Sequence, residues 1–403
     1  MATEMLSSLV EAVRGAAAGV AAHKARALRI VGGGSKDFYG RPASGEPLDV
    51  RGYTGIVAYE PTELVVTARC GTPLAELEAT LAASGQMLAF EPPHFGGPSE
   101  RQPPHFGGPT ERQPPHFGGP SEPQPPYFSA NATLGGMVAA GLGGPRRQAA
   151  GALRDFVLGV TILDGRGEVL SFGGQVMKNV AGYDVSRLMA GSLGTLGIIL
   201  EVSLKTLPSP AMEETLQFEM PEDKTIATLN RWAGQPLPVT ASAWCAGELY
   251  VRLSGAPVAV SAAREKMGGV RVDADAAQRF WLSIREQSAA FFGAEAATGR
   301  PLWRLSLPST TPSTALDRIE GARLMEWGGA LRWVASGTEA ATIRDVAAKA
   351  GGHATLFRAD ACTREHVGAF QPLAPAALAI HRQLKAAFDP HGIFNPGRMY
   401  PEF

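Results

Sequence analysis

Five consecutive residues near the amino terminus have the composition of a phosphate-binding loop. Gly32, Gly33 and Gly34 are followed by Ser35 and Lys36. Glycine has no side chain, so the backbone N–H groups of such a loop can approach an anion closely. Glycine-rich turns are also common where no ligand binds. Alone, this segment therefore supports a phosphate site and an ordinary turn equally.

Two further segments combine glycines with other small residues. Residues 132–144 read ATLGGMVAAGLGG and precede Arg146 and Arg147, and residues 191–197 read GSLGTLG. Small residues at this density allow a large flat ligand to approach the backbone, although glycines also serve simple packing at a junction between a helix and a strand. The arginine pair is interpreted as a solvated turn in preference to a carboxylate contact.

Several familiar chemistries are excluded. The Rossmann fingerprint G-x-G-x-x-G requires glycine at its sixth position. The G-x-G sequences that begin at Gly32, Gly141 and Gly165 have another residue there, so the fingerprint is absent. The chain has no Gly-Lys pair for a P-loop and no G-x-S-x-G for a serine hydrolase. Its 3 cysteines are far apart, which excludes a self-contained iron–sulfur cluster and predicts no metal site. A net charge of −1 argues against nucleic-acid binding.

An 11-residue unit, PPHFGGPSERQ, begins at Pro92 and recurs from Pro103 and Pro114, with a degenerate start at Pro125. Proline in every unit forbids a continuous helix, so we expect an extended, poorly ordered surface loop. The histidines His94, His105 and His116 could be interpreted as a metal or recognition array. A tolerated duplication explains the pattern better, because the spacing does not make the histidines converge.

The elements around these segments follow from periodicity. Residues 27–31 are predicted to form a strand running into the glycine loop, and residues 63–70 a second strand. Thr72 is predicted to cap a helix over residues 74–84 that ends at Gly85. A hairpin is predicted from residues 156–163 and 168–172, and a strand from residues 198–204. Residues 1–22 favour a surface helix and not a signal peptide, and no run of about 18 apolar residues predicts a membrane span.

The rest of the chain predicts a second α+β unit. Strands at 216–220, 239–245, 249–253 and 270–273 and helices at 224–232 and 258–267 give the order β-α-β-β-α-β, typical of an antiparallel sheet with helices on one face. Helices at 276–292 and 340–350 and strands at 303–307 and 331–336 extend it. A helix over 372–388 is expected to return to the first unit. Trp232, Trp281, Trp303, Trp327 and Trp333 are expected mainly in the core.

Six segments in order carry a specific resemblance: residues 32–36, Tyr59-Glu60-Pro61, residues 132–136, residues 178–184, residues 191–197 and the carboxy-terminal FDPHGIFNPGR. Together they resemble the FAD-binding domain of the vanillyl-alcohol oxidase / p-cresol methylhydroxylase (PCMH) superfamily. Within it, the chain is most similar to the family of FAD-binding subunits of bacterial glycolate oxidase complexes. The resemblance implies an α+β fold: a two-subdomain PCMH-type domain over 1–210 with the repeat inserted at 92–126, a smaller antiparallel-sheet cap over 211–387, and a segment 388–403 closing on the flavin domain.

The resemblance also assigns roles to residues. Gly32, Gly33, Gly34, Ser35 and Lys36 would wrap the FAD pyrophosphate, and Thr133, Leu134, Gly135 and Gly136 would lie beside the isoalloxazine and ribityl groups. The residues Gly194, Thr195, Gly197, Ile198 and Ile199 would line the adenine side, and Asn395 would close the site. Relatives with covalent FAD often have histidine just after the glycine loop. Ser35 and Lys36 stand there, so a non-covalent FAD is predicted.

The catalytic residues remain unassigned. The hydroxy-acid oxidising relatives carry His-Gly-Asp-Gly-Asn in the cap, and this chain lacks it. Because a substrate hydroxyl must lose a proton to a positioned base, His353 and His391 are the nearest candidates, the second better explained as a turn residue.

The leading hypothesis is an FAD subunit of a cytoplasmic complex that oxidises glycolate to glyoxylate, beside a larger flavin subunit and an iron–sulfur subunit that can place it at the inner membrane face. The alternatives are a self-sufficient FAD-dependent hydroxy-acid or alcohol oxidoreductase, and an assembly subunit with a vestigial flavin fold.

Overall fold

The structure is a computed structural model that describes residues 2–21, 26–95, 131–174 and 184–403. Predictions for the repeat from residue 96 onward, including His105 and His116, lie outside these ranges. The same holds for residues 178–183 of the resembling segment 178–184.

The first half alternates short helices with strands. In chain order its elements are α1 (Ala2–Ala21), β1 (Leu28–Val31), β2 (Glu46–Asp49), β3 (Ile56–Glu60), β4 (Val65–Arg69), α2 (Leu74–Ala83), β5 (Gln86–Met87), α3 (Leu134–Ala140), α4 (Arg147–Ala150), β6 (Val157–Leu163), β7 (Val169–Gly173), α5 (Val185–Leu188), β8 (Ile198–Lys205) and β9 (Leu207–Pro208). Short 3-10 turns span Pro61–Glu63 and Leu153–Phe156.

The second half is built mainly from longer strands. Its elements are β10 (Met212–Glu219), α6 (Glu222–Ala233), β11 (Val239–Cys245), β12 (Glu248–Gly255), α7 (Pro257–Met267), β13 (Val270–Arg271), α8 (Ala274–Arg285), α9 (Ala290–Ala297), β14 (Leu302–Ser306), β15 (Arg323–Glu326), β16 (Leu331–Ala335), α10 (Ala340–Lys349), β17 (His353–Arg358), α11 (Ala361–Val367) and α12 (Pro375–Phe388). Further 3-10 turns span Ser313–Leu316 and Trp327–Gly329.

An antiparallel five-stranded sheet, in the order β3-β4-β8-β6-β7, organises the first half. Leu163 pairs with Val169, which confirms the predicted hairpin. In α2, Leu74, Leu77 and Leu81 recur at helical spacing and are fully buried against this sheet's core. Beside it, β1 and β2 form a parallel pair whose end leads into the glycine loop.

An antiparallel eight-stranded sheet, in the order β13-β10-β12-β11-β15-β16-β14-β17, organises the second half. Residues on one face pack with α6, α7 and α10 in two apolar clusters. On the other face, Trp333 and Phe357 share a cluster with Tyr39, Phe95 and Leu142 of the first half. Helices α8 and α9 pack on this same face through Phe280 and Phe292, so the expectation of helices on one face only was wrong. The two halves meet over this face, and the predicted α+β class with an antiparallel cap is confirmed.

The carboxy-terminal helix returns to the first half as expected. At its end Lys385 Nζ donates 2.8 Å hydrogen bonds to the carbonyls of Thr195 and Phe394 and to Asp389 Oδ2. The backbone N–H of Leu28 donates to the carbonyl of Ile393, which ties the last segment to β1. This segment therefore belongs to the wall of the first half.

Three local predictions were wrong. Thr72 does not cap α2, because its hydroxyl accepts from the Gly55 N–H and the helix starts after Pro73. The helix expected over 276–292 is divided, since Gln287 has a φ of 54° between α8 and α9. Arg146 is not in a solvated turn: it is buried and paired with Glu91 and Glu213.

Candidate functional site

A cleft of about 1050 Å³, solvent at its mouth included, runs along the end of β1. Of the residues predicted to bind a cofactor, all except Leu134 and Thr195 line the cleft: Gly32, Gly33, Gly34, Ser35, Lys36, Thr133, Gly135, Gly136, Gly194, Gly197, Ile198, Ile199 and Asn395. The structure thus brings together segments that are more than 300 residues apart in the chain.

The glycine loop presents free backbone donors to this cleft. The N–H groups of Gly33, Gly34, Ser35 and Lys36 donate to no acceptor among the described residues. Buried or partly buried N–H groups are nearly always hydrogen-bonded in folded proteins. Gly34 is exposed, but Gly33 is half-buried and Ser35 and Lys36 are buried, so three neighbouring N–H groups without an internal acceptor indicate a site for an anionic ligand.

Glycine is required at several lining positions because of close backbone approach. A Cβ atom on Gly33 would lie 1.3 Å from the carbonyl oxygen of Asn131, and one on Gly135 would lie 2.7 Å from Cys70 Cβ. Gly194 has a φ of 71°, and a Cβ there would lie 2.7 Å from Asn395 Nδ2. Each of the three glycine segments is thus packed closely against a neighbouring part of the chain.

Other predicted residues use their polar atoms to build the walls. Asn395 Oδ1 accepts from the Ile30 N–H at 2.9 Å, and its Nδ2 donates to the Leu193 carbonyl at 2.8 Å. Thr133 caps α3 by accepting from the Gly136 N–H. Leu134 is buried in the core, and the Thr195 hydroxyl donates to the Ser192 carbonyl. The polar atoms of these residues are bonded within the walls of the cleft, so the N–H groups without an acceptor belong to the glycine loop.

Lys36 joins the cleft to the first unit of the repeat. Its buried ammonium donates to Ser35 Oγ at 3.1 Å and to the His94 carbonyl at 3.3 Å, and burial lowers its pKa to about 8. The Glu286 carboxylate accepts from the N–H groups of His94 and Phe95. Both repeat residues are buried, so the prediction of a surface loop was wrong for the start of the insert.

Sequence reasoning did not assign Arg398, although it stands in the quoted carboxy-terminal motif. Its guanidinium lines the cleft and donates to the carbonyls of Arg41 and Asp37, and burial lowers its pKa to about 10. Arg29 also lines the cleft. Both add positive charge near the free backbone donors, which favours an anionic ligand.

Neither candidate histidine lines the cleft. His353 is exposed at the start of β17, and its pKa is lowered by burial and by Arg304. His391 is exposed in the turn after α12, as the sequence suggested. No described residue of the cleft is therefore assigned as a catalytic base.

Comparison with known proteins identifies the family of this chain. Residues 11–97 and 122–173 match the family described as FAD binding domain, and residues 371–399 match the FAD linked oxidases, C-terminal domain. The chain is 45% identical over 375 residues, 93% of both chains, to "Glycolate oxidase subunit GlcE" of Escherichia coli (strain K12). It is 26% identical, over 67% of this chain and 68% of the relative, to "Glycolate oxidase subunit GlcD" of Bacillus subtilis (strain 168).

Solved structures support the fold. An alkyldihydroxyacetonephosphate synthase superposes with a TM-score of 0.58 and 15% identity, covering 92% of this chain and 71% of that one. At this identity the likeness concerns architecture alone. No helix in the described ranges is long and apolar enough to cross a membrane.

The cofactor of this chain is FAD, and the cleft residues fit it. The free N–H groups of the glycine loop and the nearby arginines match a pyrophosphate. The described lining contains neither histidine nor tyrosine. Burial raises the pKa of its cysteine, Cys70, to about 12, so a thiolate able to attach a flavin is disfavoured.

Proposed function

The chain belongs to the family of the glycolate oxidase subunit GlcE, and we propose that it is the FAD-binding subunit of a complex that oxidises glycolate to glyoxylate. The observation that supports this proposal is the cleft beside β1, in which backbone N–H groups of the glycine loop have no acceptor among the described residues. The chain is an FAD-dependent oxidoreductase subunit, and in the proposal its substrate class is a 2-hydroxy acid.

In the proposal, each group of cleft residues contacts a part of FAD that suits its chemistry. The loop Gly32, Gly33, Gly34, Ser35 and Lys36 holds the pyrophosphate through backbone donors. Thr133, Gly135 and Gly136 lie beside the isoalloxazine and ribityl groups, Gly194, Gly197, Ile198 and Ile199 line the adenine side, and Asn395 holds the wall closed. FAD, bound without a covalent link, supplies the hydride acceptor that no amino-acid side chain provides.

The proposal includes partner subunits. A reduced flavin must pass its electrons on, and the three cysteines of this chain, Cys70, Cys245 and Cys362, are too far apart in sequence for an iron–sulfur cluster of its own. We therefore propose that an iron–sulfur partner accepts the electrons and that a larger flavin subunit carries out part of the substrate oxidation. A cytoplasmic location, at the inner membrane face through these partners, is part of the same proposal.

An absorption experiment tests the proposal. The purified chain is expected to be yellow, and acid precipitation is expected to release its FAD into the supernatant. Glycolate is then added anaerobically, first to the chain alone and next together with the larger flavin subunit. Bleaching only with the partner supports the complex, and bleaching by glycolate alone selects a self-sufficient oxidoreductase. A chain that stays colourless after incubation with FAD would overturn the proposal in favour of an assembly subunit.

A further inference from the structure

Lys36 is a buried cation in the cleft proposed to bind FAD. It is 9% exposed, and it is the one lysine among the described residues that line the cleft. An ammonium can donate three hydrogen bonds. Lys36 Nζ donates two, to Ser35 Oγ and to the His94 carbonyl, and it forms no ion pair with a carboxylate of the described residues. Because buried charges in proteins are nearly always paired, this ammonium is suited to meet an anion from the cleft.

Two acids lie near Lys36, but their oxygens are engaged by other groups. The Glu286 carboxylate, directly after α8, accepts from the His94 N–H and pairs with Arg285 at 2.8 Å. Glu78 of α2 bonds to the imidazole of His94 at 2.9 Å and lies 3.9 Å from Arg285. Burial lowers the pKa of Lys36 to about 8, although both acids act to raise it. In the chain without FAD, Lys36 therefore loses its proton near pH 8.

The first repeat unit holds the acceptor of Lys36 in place. The Glu286 carboxylate also accepts from the Phe95 N–H, at 2.8 Å. Phe95 is buried with a φ of 52°, a left-handed conformation that is uncommon for a bulky residue. Its ring packs on Phe38, and the ring centroid lies 5.7 Å from Lys36 Nζ. The position of the His94 carbonyl, which binds the ammonium, therefore depends on the contact between Glu286 and the insert.

We propose that Lys36 is a proton-linked anchor for FAD, whose ammonium balances the negative charge of the cofactor and is kept at the cleft by the first repeat unit and Glu286. The inference rests on the proposed function and deepens it, since it gives a role to the side chain of Lys36 and to the start of the insert. An anion bound beside a cation favours the protonated form of that cation. The chain therefore takes up a proton on binding FAD wherever Lys36 is partly neutral beforehand.

Other ionisable groups lie on the elements around Lys36, and a test must separate them from it. They are Asp37 and Tyr39 of its own loop, Arg29 of β1, Glu78 of α2, His94 of the insert, Arg285 of α8 with Glu286 directly after it, Arg358 of β17 and Arg398 of the last segment. Lys36→Met makes the separation, because methionine has a similar length, no charge and no proton to exchange.

Calorimetric titration of the full chain with FAD, after removal of the bound cofactor, tests the inference. Repeating the titration in two buffers of different ionisation enthalpy measures proton uptake. We expect about half a proton to be taken up per FAD at pH 8 and almost none at pH 6. From pH 7 to pH 9 the affinity for FAD should fall about fivefold to tenfold, because the unbound chain loses the proton that the bound chain retains.

The Lys36→Met variant should bind FAD about tenfold more weakly than the wild type at pH 7, since a charged hydrogen-bond donor is lost. It should show no proton uptake at pH 8, and its affinity should not fall above pH 7, so that the two chains converge towards pH 9. Lys266→Met, which replaces an exposed lysine in the last turn of α7, should behave like the wild type. Melting midpoints show that each variant is folded.

Glu286→Gln tests the acid that holds the repeat unit. Removing this carboxylate lowers the pKa of Lys36 further, so the proton uptake at pH 7, about a tenth of a proton in the wild type, should increase. Unchanged uptake in this variant would overturn the part assigned to Glu286.

Two outcomes would overturn the inference as a whole and leave the proposed function intact. One is a wild-type chain that binds FAD at pH 8 without taking up a proton. The other is uptake at pH 8 that persists in Lys36→Met, which would assign the proton to another group. A chain that binds no FAD at any pH would instead overturn the proposed function, and the inference with it.

Discussion

At the scale of single residues, Gly33 makes the clearest demand on side-chain size. Since a Cβ there would lie 1.3 Å from the Asn131 carbonyl oxygen, an alanine can be accommodated only by a backbone shift. That shift moves the free N–H groups of the glycine loop. We expect Gly33→Ala to weaken FAD binding by at least about tenfold, equivalent to about 1.4 kcal/mol. The ratio of flavin to protein absorbance after dialysis, together with FAD titration of the cofactor-free chain, measures the effect.

Gly15 provides the matched control for this substitution. It lies within α1, and a Cβ there would meet nothing within 4 Å. Gly15→Ala is expected to retain FAD fully and to stabilise the helix by up to about 1 kcal/mol. Equal flavin retention by the two variants would show that the glycine loop does not hold the cofactor.

The buried carboxyl of Glu326 leads to a prediction about protein stability. Its pKa is raised on folding from 4.5 to about 7. Below pH 4.5 the carboxyl is protonated in both states, so its burial penalty is absent. Between these values the unfolded chain loses the proton first, so stability falls with rising pH and the penalty is complete above pH 7. At pH 8 we expect Glu326→Gln to raise the free energy of unfolding by about 2–3 kcal/mol.

Urea denaturation at pH 5 and pH 8 measures this difference. The gain should be clearly smaller at pH 5, where most of the penalty is absent from the wild type as well. Exposed Glu320→Gln should show no such dependence. A Glu326→Gln variant less stable than the wild type at pH 8 would mean that the carboxylate is stabilised by its surroundings.

How far the sites could be predicted depends on how their residues are arranged. The cleft proposed to bind FAD is lined by contiguous segments such as residues 32–36, so composition and order were enough to predict that these residues lie together. A smaller cavity between the two halves takes single residues from separate places: Gln287, Arg304, Glu326 and Trp333. None stands in a motif, and only the pairing of β14, β15 and β16 brings three of them together.

At the scale of elements, periodicity located most strands and helices but missed those with weak patterns. β15 has only 4 residues, RLME, and pairs on both sides in the middle of its sheet. β17, HATLFR, begins with a polar residue, and α11, ACTREHV, contains no buried side chain. Such short elements are fixed by their neighbours after folding, a tertiary effect that local propensity does not contain. The break between α8 and α9 at Gln287 likewise has no neighbouring glycine or proline from which it could be predicted.

The repeat provides a prediction at this scale. Only Pro92, Pro93, His94 and Phe95 of the insert belong to the described structure, and their contacts use one unit. Deleting residues 103–124 removes two units and keeps the first. We expect FAD binding to be unchanged and stability to rise by up to about 1 kcal/mol, because a shorter loop loses less entropy on closure. Flavin content and urea denaturation check both statements, and loss of FAD would show that the later units hold the cleft.

Substitution of the first unit is the matched test. The later units repeat the same PPHF sequence, so the variant is best made in the shortened chain, where no complete second unit remains. There, His94→Ala with Phe95→Ala removes the ring packed on Phe38 and the imidazole bonded to Glu78 at 2.9 Å. We expect a loss of about 3 kcal/mol or more in the free energy of unfolding. A loss below about 0.5 kcal/mol would show that the unit only rests on the surface.

At the scale of the whole molecule, function depends on how the two halves are held together over the eight-stranded sheet. Buried charges bridge them: Arg146 and Glu91 belong to the first half, and Arg252 of β12 and Glu213 of β10 to the second. Trp327 adds a hydrogen bond from its Nε1 to the Gly144 carbonyl at 3.1 Å.

Arg146→Met tests whether this network joins the halves. The substitution leaves Glu91 and Glu213 with Arg252 as their remaining arginine, in a region where Arg146 itself is only 8% exposed. Breaking a buried ion pair costs about 3–5 kcal/mol, so we expect a loss of about 2 kcal/mol or more in the free energy of unfolding, with FAD retained because the cleft lies elsewhere. Differential scanning calorimetry and flavin content measure these effects, with exposed Arg154→Met as control. A variant as stable as the wild type would instead mean that apolar contacts alone, around Phe95 and Phe357, hold the halves together.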